Sequence, residues 1–268
     1  MPSALRVRKV LTIHLERKTI VFDIDETLVL AQTDPFPEHP DLQTTTIRLC
    51  KTLQSGQEEQ MPVFLCFRPY ILEMLIELYP DFELVLFTVG SLDYAQAFSK
   101  ALHQYYWKSK FAKEDFFKAF AQTMTPQNLA QSLGSKSPSR MLVRPMESIM
   151  SAQGFFSHIL SYKECLYSRE NEMYLKDLKI LESNRSLTDI VIVDNSIKSF
   201  YLHMDNGIPI YDFEGDPTDK ALFHLTVYLK SLLYEEDVRK KVSEDFGIRA
   251  RPTRVKSSKA NLLLGNTP

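Results

Sequence analysis

The sequence predicts an α/β fold built on a largely parallel sheet flanked by helices. Three short apolar runs predict it, each stopping on a polar residue. Thr19-Ile20-Val21-Phe22 runs into Asp23, Glu83-Leu84-Val85-Leu86-Phe87 into Thr88, and Ile190-Val191-Ile192-Val193 into Asp194. They are too short for ordinary helices and rich in Val and Ile, so they read as strands buried on both faces. Longer stretches with helical spacing separate them, and buried strands alternating with helices imply a parallel sheet.

Residues 1–17 read as a leader, basic through Arg6, Arg8, Lys9 and Arg17. It is either a solvated approach to the first strand or a faint transit-peptide pattern. Pro35, Pro37 and Pro40 mark a turn-rich stretch after the first strand. Thr44 to Leu49, the turn Gln54-Ser55-Gly56-Gln57, and Pro62 to Phe67 then read as a β-hairpin flap beside the first strand's end. Arg68 to Tyr79 repeats apolar residues at helical spacing, with Pro69 suited to a first turn, and Leu92 to Tyr106 is helical too. Residues 109 to 157 show no single period. Short helices are expected near Glu114 to Ala121 and Gln127 to Leu133, with Ser135 to Ser139 as a loop. Tyr105, Tyr106, Trp107, Phe111, Phe116 and Phe117 are expected to pack in a core. A helical pattern returns from Ala221 to Leu233. Residues 243–268 read as a basic, disordered tail carrying Arg249, Arg251, Arg254, Lys256 and Lys259, either a solvated end or a nuclear signal.

The chain has 268 residues, 44% hydrophobic and 25% charged, enough for a sizeable core. A net charge of -2 argues against a general nucleic-acid binder. Cys50, Cys66 and Cys165 are widely spaced without a CxxC pair, which argues against a zinc site or a disulfide framework; they read as reduced thiols, which favours the nucleus or cytoplasm. No apolar run approaches the ~18 residues of a membrane span.

In parallel α/β sheets, ligands bind beyond the carboxyl ends of the strands, where all three polar endings fall. Asp23-Ile24-Asp25-Glu26-Thr27 is the main signal. A carboxylate can attack phosphorus and form an acyl phosphate. A second carboxyl two residues on can protonate the leaving oxygen and later deprotonate water. A divalent cation offsets the repulsion between carboxylate and phosphate. The structural alternative is a turn whose aspartates bond backbone amides. Thr88, with the amides near Gly90 and Ser91, can hold phosphate oxygens or simply cap the Leu92 helix. Lys176 can neutralise phosphate and nucleophile, or stand on the surface. Asp194-Asn195-Ser196 can supply metal ligands or cap the next turn.

Taken in order, these residues resemble the haloacid dehalogenase superfamily, in particular its FCP/SCP-like small CTD-phosphatase branch, also called NLI-interacting-factor-like. TIVFDIDETLV (19–29), FRPYILEML (67–75), ELVLFT (83–88), YLKDL (174–178), DIVIVDNS (189–196) and SFYLHMDNGIPIYDFEGDPTD (199–219) carry the likeness. It spans residues 18–242, interrupted by an insertion at about 109–157. The resemblance implies a HAD-like Rossmannoid sheet. It makes Asp23 the nucleophile and Asp25 the general acid/base, with Thr88 and Lys176 on the phosphoryl group. Mg²⁺ would be held by Asp23, the Asp25 carbonyl, Asp194 and Asn195, and the groove would include Tyr94 and Arg68. It implies hydrolysis of phosphoserine or phosphothreonine in proteins, notably the RNA polymerase II repeat tail. Two alternatives stand beside it: a non-catalytic binding module like the mitochondrial import receptors of this fold, and a small-molecule phosphatase. Val89-Gly90 departs from the family's usual Ala-Ser, and Tyr162 stands where relatives often carry arginine.

Overall fold

The computed structural model describes residues 17–52, 55–109, 154–183 and 185–248. The three apolar runs form strands β1 (Thr19–Phe22), β5 (Glu83–Phe87) and β9 (Ile190–Asp194), each buried along its whole length. With β6 (His158–Leu160) and β10 (Gly207–Pro209) they make a five-stranded sheet in the order β10-β9-β1-β5-β6. Every pairing in that sheet is parallel. The centre is β1, with Phe22 level with Leu86 on one side and Val193 on the other. Just beyond, three chains leave the sheet side by side: Asp23 is one residue past Phe22, Asp194 one past Val193, and Thr88 two past Leu86. The register therefore sets the three polar endings together, and the expected α/β architecture is the one observed.

Helices cover the sheet. Helix α1 (Ile71–Leu78) buries Ile71, Leu72, Met74, Leu75, Ile76 and Leu78. It begins later than the sequence suggests: Tyr70 has φ +67°, a left-handed turn, so Pro69 lies ahead of the first turn rather than in it. Helix α2 (Leu92–Lys108) starts at Ser91, whose hydroxyl accepts from the Tyr94 amide. Tyr106 is buried, but Trp107 is 45% exposed, which corrects the expectation that the whole aromatic run is core. Helix α3 (Ala221–Ser231) follows. Helix α4 (Val238–Phe246) buries Val238, Val242 and Phe246 at helical spacing. The ordered chain thus extends past Val242, where the tail was expected to begin.

The flap is larger than a hairpin. Strands β3 (Gln43–Thr52) and β4 (Glu58–Phe67) pair antiparallel over ten residues each, and β2 (Val29–Gln32) adds a third strand on β4. Phe67 at its base stacks on Tyr105 of α2, with centroids 5.1 Å apart. Of the expected insertion at 109–157, residues 155–157 belong to the core: Phe155 and Phe156 are buried, and the Ser157 amide bonds Leu84 O at 2.9 Å. The helices expected near 114–121 and 127–133, the rings of Phe111, Phe116 and Phe117, and the basic residues after 248 lie outside the described residues.

Between β9 and β10 the chain makes tight turns over Ile197–Asn206. Gly207 is required there, because a Cβ would meet the Phe200 ring 2.1 Å away. The described cysteines are free thiols. Among the described residues no helix is long and apolar enough to cross a membrane.

Candidate active site

Asp23 follows β1, with its amide bonded to Val193 O at 3.0 Å, which locks it against β9. Lys176 follows β8 (Met173–Leu175), a strand of a small hairpin with β7 (Leu166–Ser168). The Lys176 amide donates to Ser199 O at 2.7 Å, tying this segment to the turns after β9. Its side chain is almost fully buried, and the ammonium donates to Asp23 Oδ1 and, at 2.6 Å, to Asp194 Oδ2. A buried lysine needs such partners, since an unpaired ammonium in the interior is very costly. Burial alone would lower its pKa; the two carboxylates outweigh this and hold the ammonium above the ordinary lysine range. Two carboxylates share one ammonium, so negative charge remains in excess. Burial and then the Asp23 carboxylate push Asp194 well above the usual aspartate value, against the pull of Lys176.

Asp25 stands half-buried at the start of a turn in which Glu26 has φ +58° and its amide bonds Val29 O at 2.7 Å. The Tyr94 hydroxyl donates to Asp25 Oδ1 at 2.5 Å. Burial raises Asp25 most, and the Tyr94 bond opposes it, leaving the carboxyl at about 6. Burial, then the Asp25 charge, drives the Tyr94 phenol upward, so it remains a donor at neutral pH.

Thr88 is fully buried, its amide held by Leu160 O at 3.1 Å. Its hydroxyl accepts from the Gly90 amide at 2.9 Å, while Ser91 supplies the helix cap. Asn195 lies beyond Asp194. Its amide nitrogen Nδ2 donates to Asp212 Oδ1 at 2.9 Å and Glu26 Oε2 at 3.1 Å, and its Oδ1 faces the Thr27 hydroxyl at 3.2 Å. Asp194 Oδ1 accepts from the Ser196 amide at 2.8 Å. The structure thus brings Asp23, Asp25, Thr88, Lys176, Asp194 and Asn195 to one end of the sheet.

A model of NLI interacting factor-like phosphatases matches residues 18–131 and 133–239. The chain belongs to this family. Among relatives of this NLI interacting factor-like phosphatase, the CTD small phosphatase-like protein 2 of Dictyostelium discoideum is 30% identical over 228 residues, covering 85% of this chain and 30% of that one. The human CTD small phosphatase-like protein is 25% identical over 237 residues, covering 88% and 64%. The chain therefore spans less than two thirds of either relative. A fission yeast RNA polymerase II CTD phosphatase solved with beryllium fluoride aligns at 15% identity and a TM-score of 0.43, over 96% of this chain and 62% of that one. That loose alignment adds nothing to the family match.

Two groove residues of this NLI interacting factor-like chain sit elsewhere than expected. Arg68 is fully buried. Its guanidinium donates from Nε and Nη2 to Asp219 Oδ2 at 3.1 and 2.8 Å, and from Nη1 to the carbonyls of Glu26, Thr27 and Tyr211. The structure corrects the expectation that it faces substrate: it ties the Asp25 loop to the 211–219 segment from behind. Tyr94 is only 8% exposed, and its hydroxyl is directed to Asp25 rather than to an open groove. A cavity of about 680 Å³ does border Arg68, but it lies between the flap, α1 and α2, and neither Asp23 nor Asp194 lines it.

Three supporting residues had no reading from sequence: Asp219, Asp212 and His203. His203 Nε2 lies 2.6 Å from Asp177 Oδ1, beside Lys176. Asp212 and Asp219 are acids within the GIPIYDFEGDPTD stretch, and nothing short of the fold reveals what they face.

Proposed function

We propose that this chain is a magnesium-dependent protein serine/threonine phosphatase working through a phospho-aspartyl intermediate on Asp23. The bridge from Lys176 to both Asp23 and Asp194 carries this reading. It sets an attacking carboxylate, a fixed positive charge and a second acid on adjacent strand ends. The family membership supports the same conclusion.

The residues suit magnesium. The candidate donors are all oxygens, and two carboxylates against one ammonium leave room for more positive charge. Among the described residues no group of three or more His, Cys, Asp or Glu is set to hold a metal. Magnesium needs no such group, because it usually takes one or two carboxylates and completes its shell with water and phosphate. Asp23, Asp194, the Asp25 carbonyl and Asn195 would hold it, where it would supply charge neutralisation between phosphate and carboxylates.

The protein's own groups do the rest. Lys176 and the Thr88 hydroxyl hold phosphoryl oxygens. An Asp23 oxygen bonds to phosphorus as the ester P–O bond breaks, and Asp25 passes its proton to the departing oxygen. With that proton gone, Asp25 takes one from water, which attacks the acyl phosphate and releases inorganic phosphate. A carboxyl near 6 suits both roles close to neutral pH.

The relatives' printed names, both CTD small phosphatase-like proteins, favour a phosphorylated protein tail as substrate, with the RNA polymerase II repeat as candidate and the nucleus or cytoplasm as site of action. The test is Mg²⁺-dependent hydrolysis of p-nitrophenyl phosphate. Wild type should turn over and folded Asp23→Asn should not; activity retained in that variant removes Asp23 as nucleophile.

A further inference from the structure

We propose that Tyr94 is a positioning residue for proton transfer: its hydroxyl occupies Asp25 Oδ1 and so makes Oδ2 the oxygen that carries the proton. The inference rests on the reading of Asp25 as general acid. It assigns Tyr94 a part in the chemistry instead of a place in the substrate groove.

Three contacts fix the tyrosine. Its amide bonds the Ser91 hydroxyl at 3.2 Å in the first turn of α2, so its backbone is pinned. Its ring is buried, and Gly90 closes on the ring edge: a Cβ at residue 90 would lie 3.0 Å from Tyr94 Cδ1. Its hydroxyl meets Asp25 Oδ1 at 2.5 Å. Among the described residues no other side chain hydrogen-bonds the Asp25 carboxyl. The same Gly90 donates its amide to the Thr88 hydroxyl, so one residue lies between the candidate phosphate holder and the tyrosine behind the acid.

A carboxylic acid free to rotate about its last torsion presents either oxygen to the leaving group. With Oδ1 accepting from Tyr94, the acid proton sits on Oδ2. In the transfer step an Asp23 oxygen–phosphorus bond forms and the ester P–O bond breaks. The Oδ2 proton moves to the departing oxygen, leaving Asp25 as carboxylate. Fixing the donor before the step removes an orientational cost from the barrier.

Tyr94→Phe keeps the ring and loses the hydroxyl. The readout is kcat/KM on two substrates, a phosphoserine peptide and 2,4-dinitrophenyl phosphate. Serine alkoxide leaves only with a proton, whereas dinitrophenolate leaves without one. Because kcat/KM ends at transfer to Asp23, breakdown of the intermediate does not enter. Asp25→Asn is the reference, expected to lose ~10²–10⁴ on the peptide and little on the aryl ester. Tyr94→Phe should lose about tenfold or more on the peptide and about twofold or less on the aryl ester. Equal losses on both substrates, or none, overturn the proposal while Asp25→Asn still discriminates. If Asp25→Asn fails to discriminate, or wild type does not turn over, the reading of the acid falls and the proposal with it.

Discussion

Lys176 Nζ lies 2.6 Å from Asp194 Oδ2, with both side chains about 1% exposed. The ammonium also reaches Asp23, so one cation holds the ends of β1 and β9 together from outside the sheet. Removing it would leave two carboxylates side by side without compensation. Lys176→Met is expected to lose phosphatase activity and about 3–5 kcal/mol of stability in metal-free buffer. Added Mg²⁺ should return part of that stability through binding to the folded state. Urea melts with and without Mg²⁺ check this. A variant as stable as wild type without metal would contradict the structural role given to the ammonium.

Arg68 and Asp219 form a sealed ion pair whose guanidinium also carries three backbone carbonyls. Asp219→Ala strands that charge and should cost about 3–5 kcal/mol in a chemical melt. A variant that keeps its melting midpoint but raises KM for a phosphopeptide would instead return Arg68 to the groove.

Glu83 opens β5 at the opposite end of the sheet from the candidate site. Burial would raise its carboxyl. A hydrogen bond from His158, the charge of Arg185 and the hydroxyls of Thr19 and Ser157 outweigh this and hold it at about 2. A depressed carboxyl stabilises the fold above its unfolded value of 4.5, and that contribution is lost as pH falls toward 2. The shift corresponds to about 3 kcal/mol at most. Wild-type stability should fall across that window, and Glu83→Gln should be weaker at pH 7 and flatter below pH 4.5. Parallel curves for the two proteins would show that Glu83 does not govern acid sensitivity.

The sheet was legible because its three central strands are short, apolar on both faces and sharply ended. Parallel register then forced Asp23, Thr88 and Asp194 together. What lay behind the site was not legible. Arg68 and Asp219 are separated by 151 residues, and Tyr94 and Asp25 by 69. Nothing in local spacing distinguishes a tyrosine lining a groove from one bonded to a buried acid. Helix α4 ran past the expected boundary because Val238, Val242 and Phe246 pack on one face, although the segment is strongly charged between them. Strand β2 was missed because only Val29 of its four residues is fully buried, which leaves no periodic signal.

The account turns on a covalent bond at Asp23. The direct measurement is rapid mixing of the Asp25→Asn variant, in Mg²⁺, with 2,4-dinitrophenyl phosphate carrying labelled phosphate, an ester whose leaving group needs no proton from Asp25, followed by denaturation and peptide mapping. The account predicts label on the peptide containing Asp23, released by hydroxylamine as an acyl phosphate should be, and none in Asp23→Asn. Hydrolysis by wild type with no covalent label, or label on another residue, would contradict it.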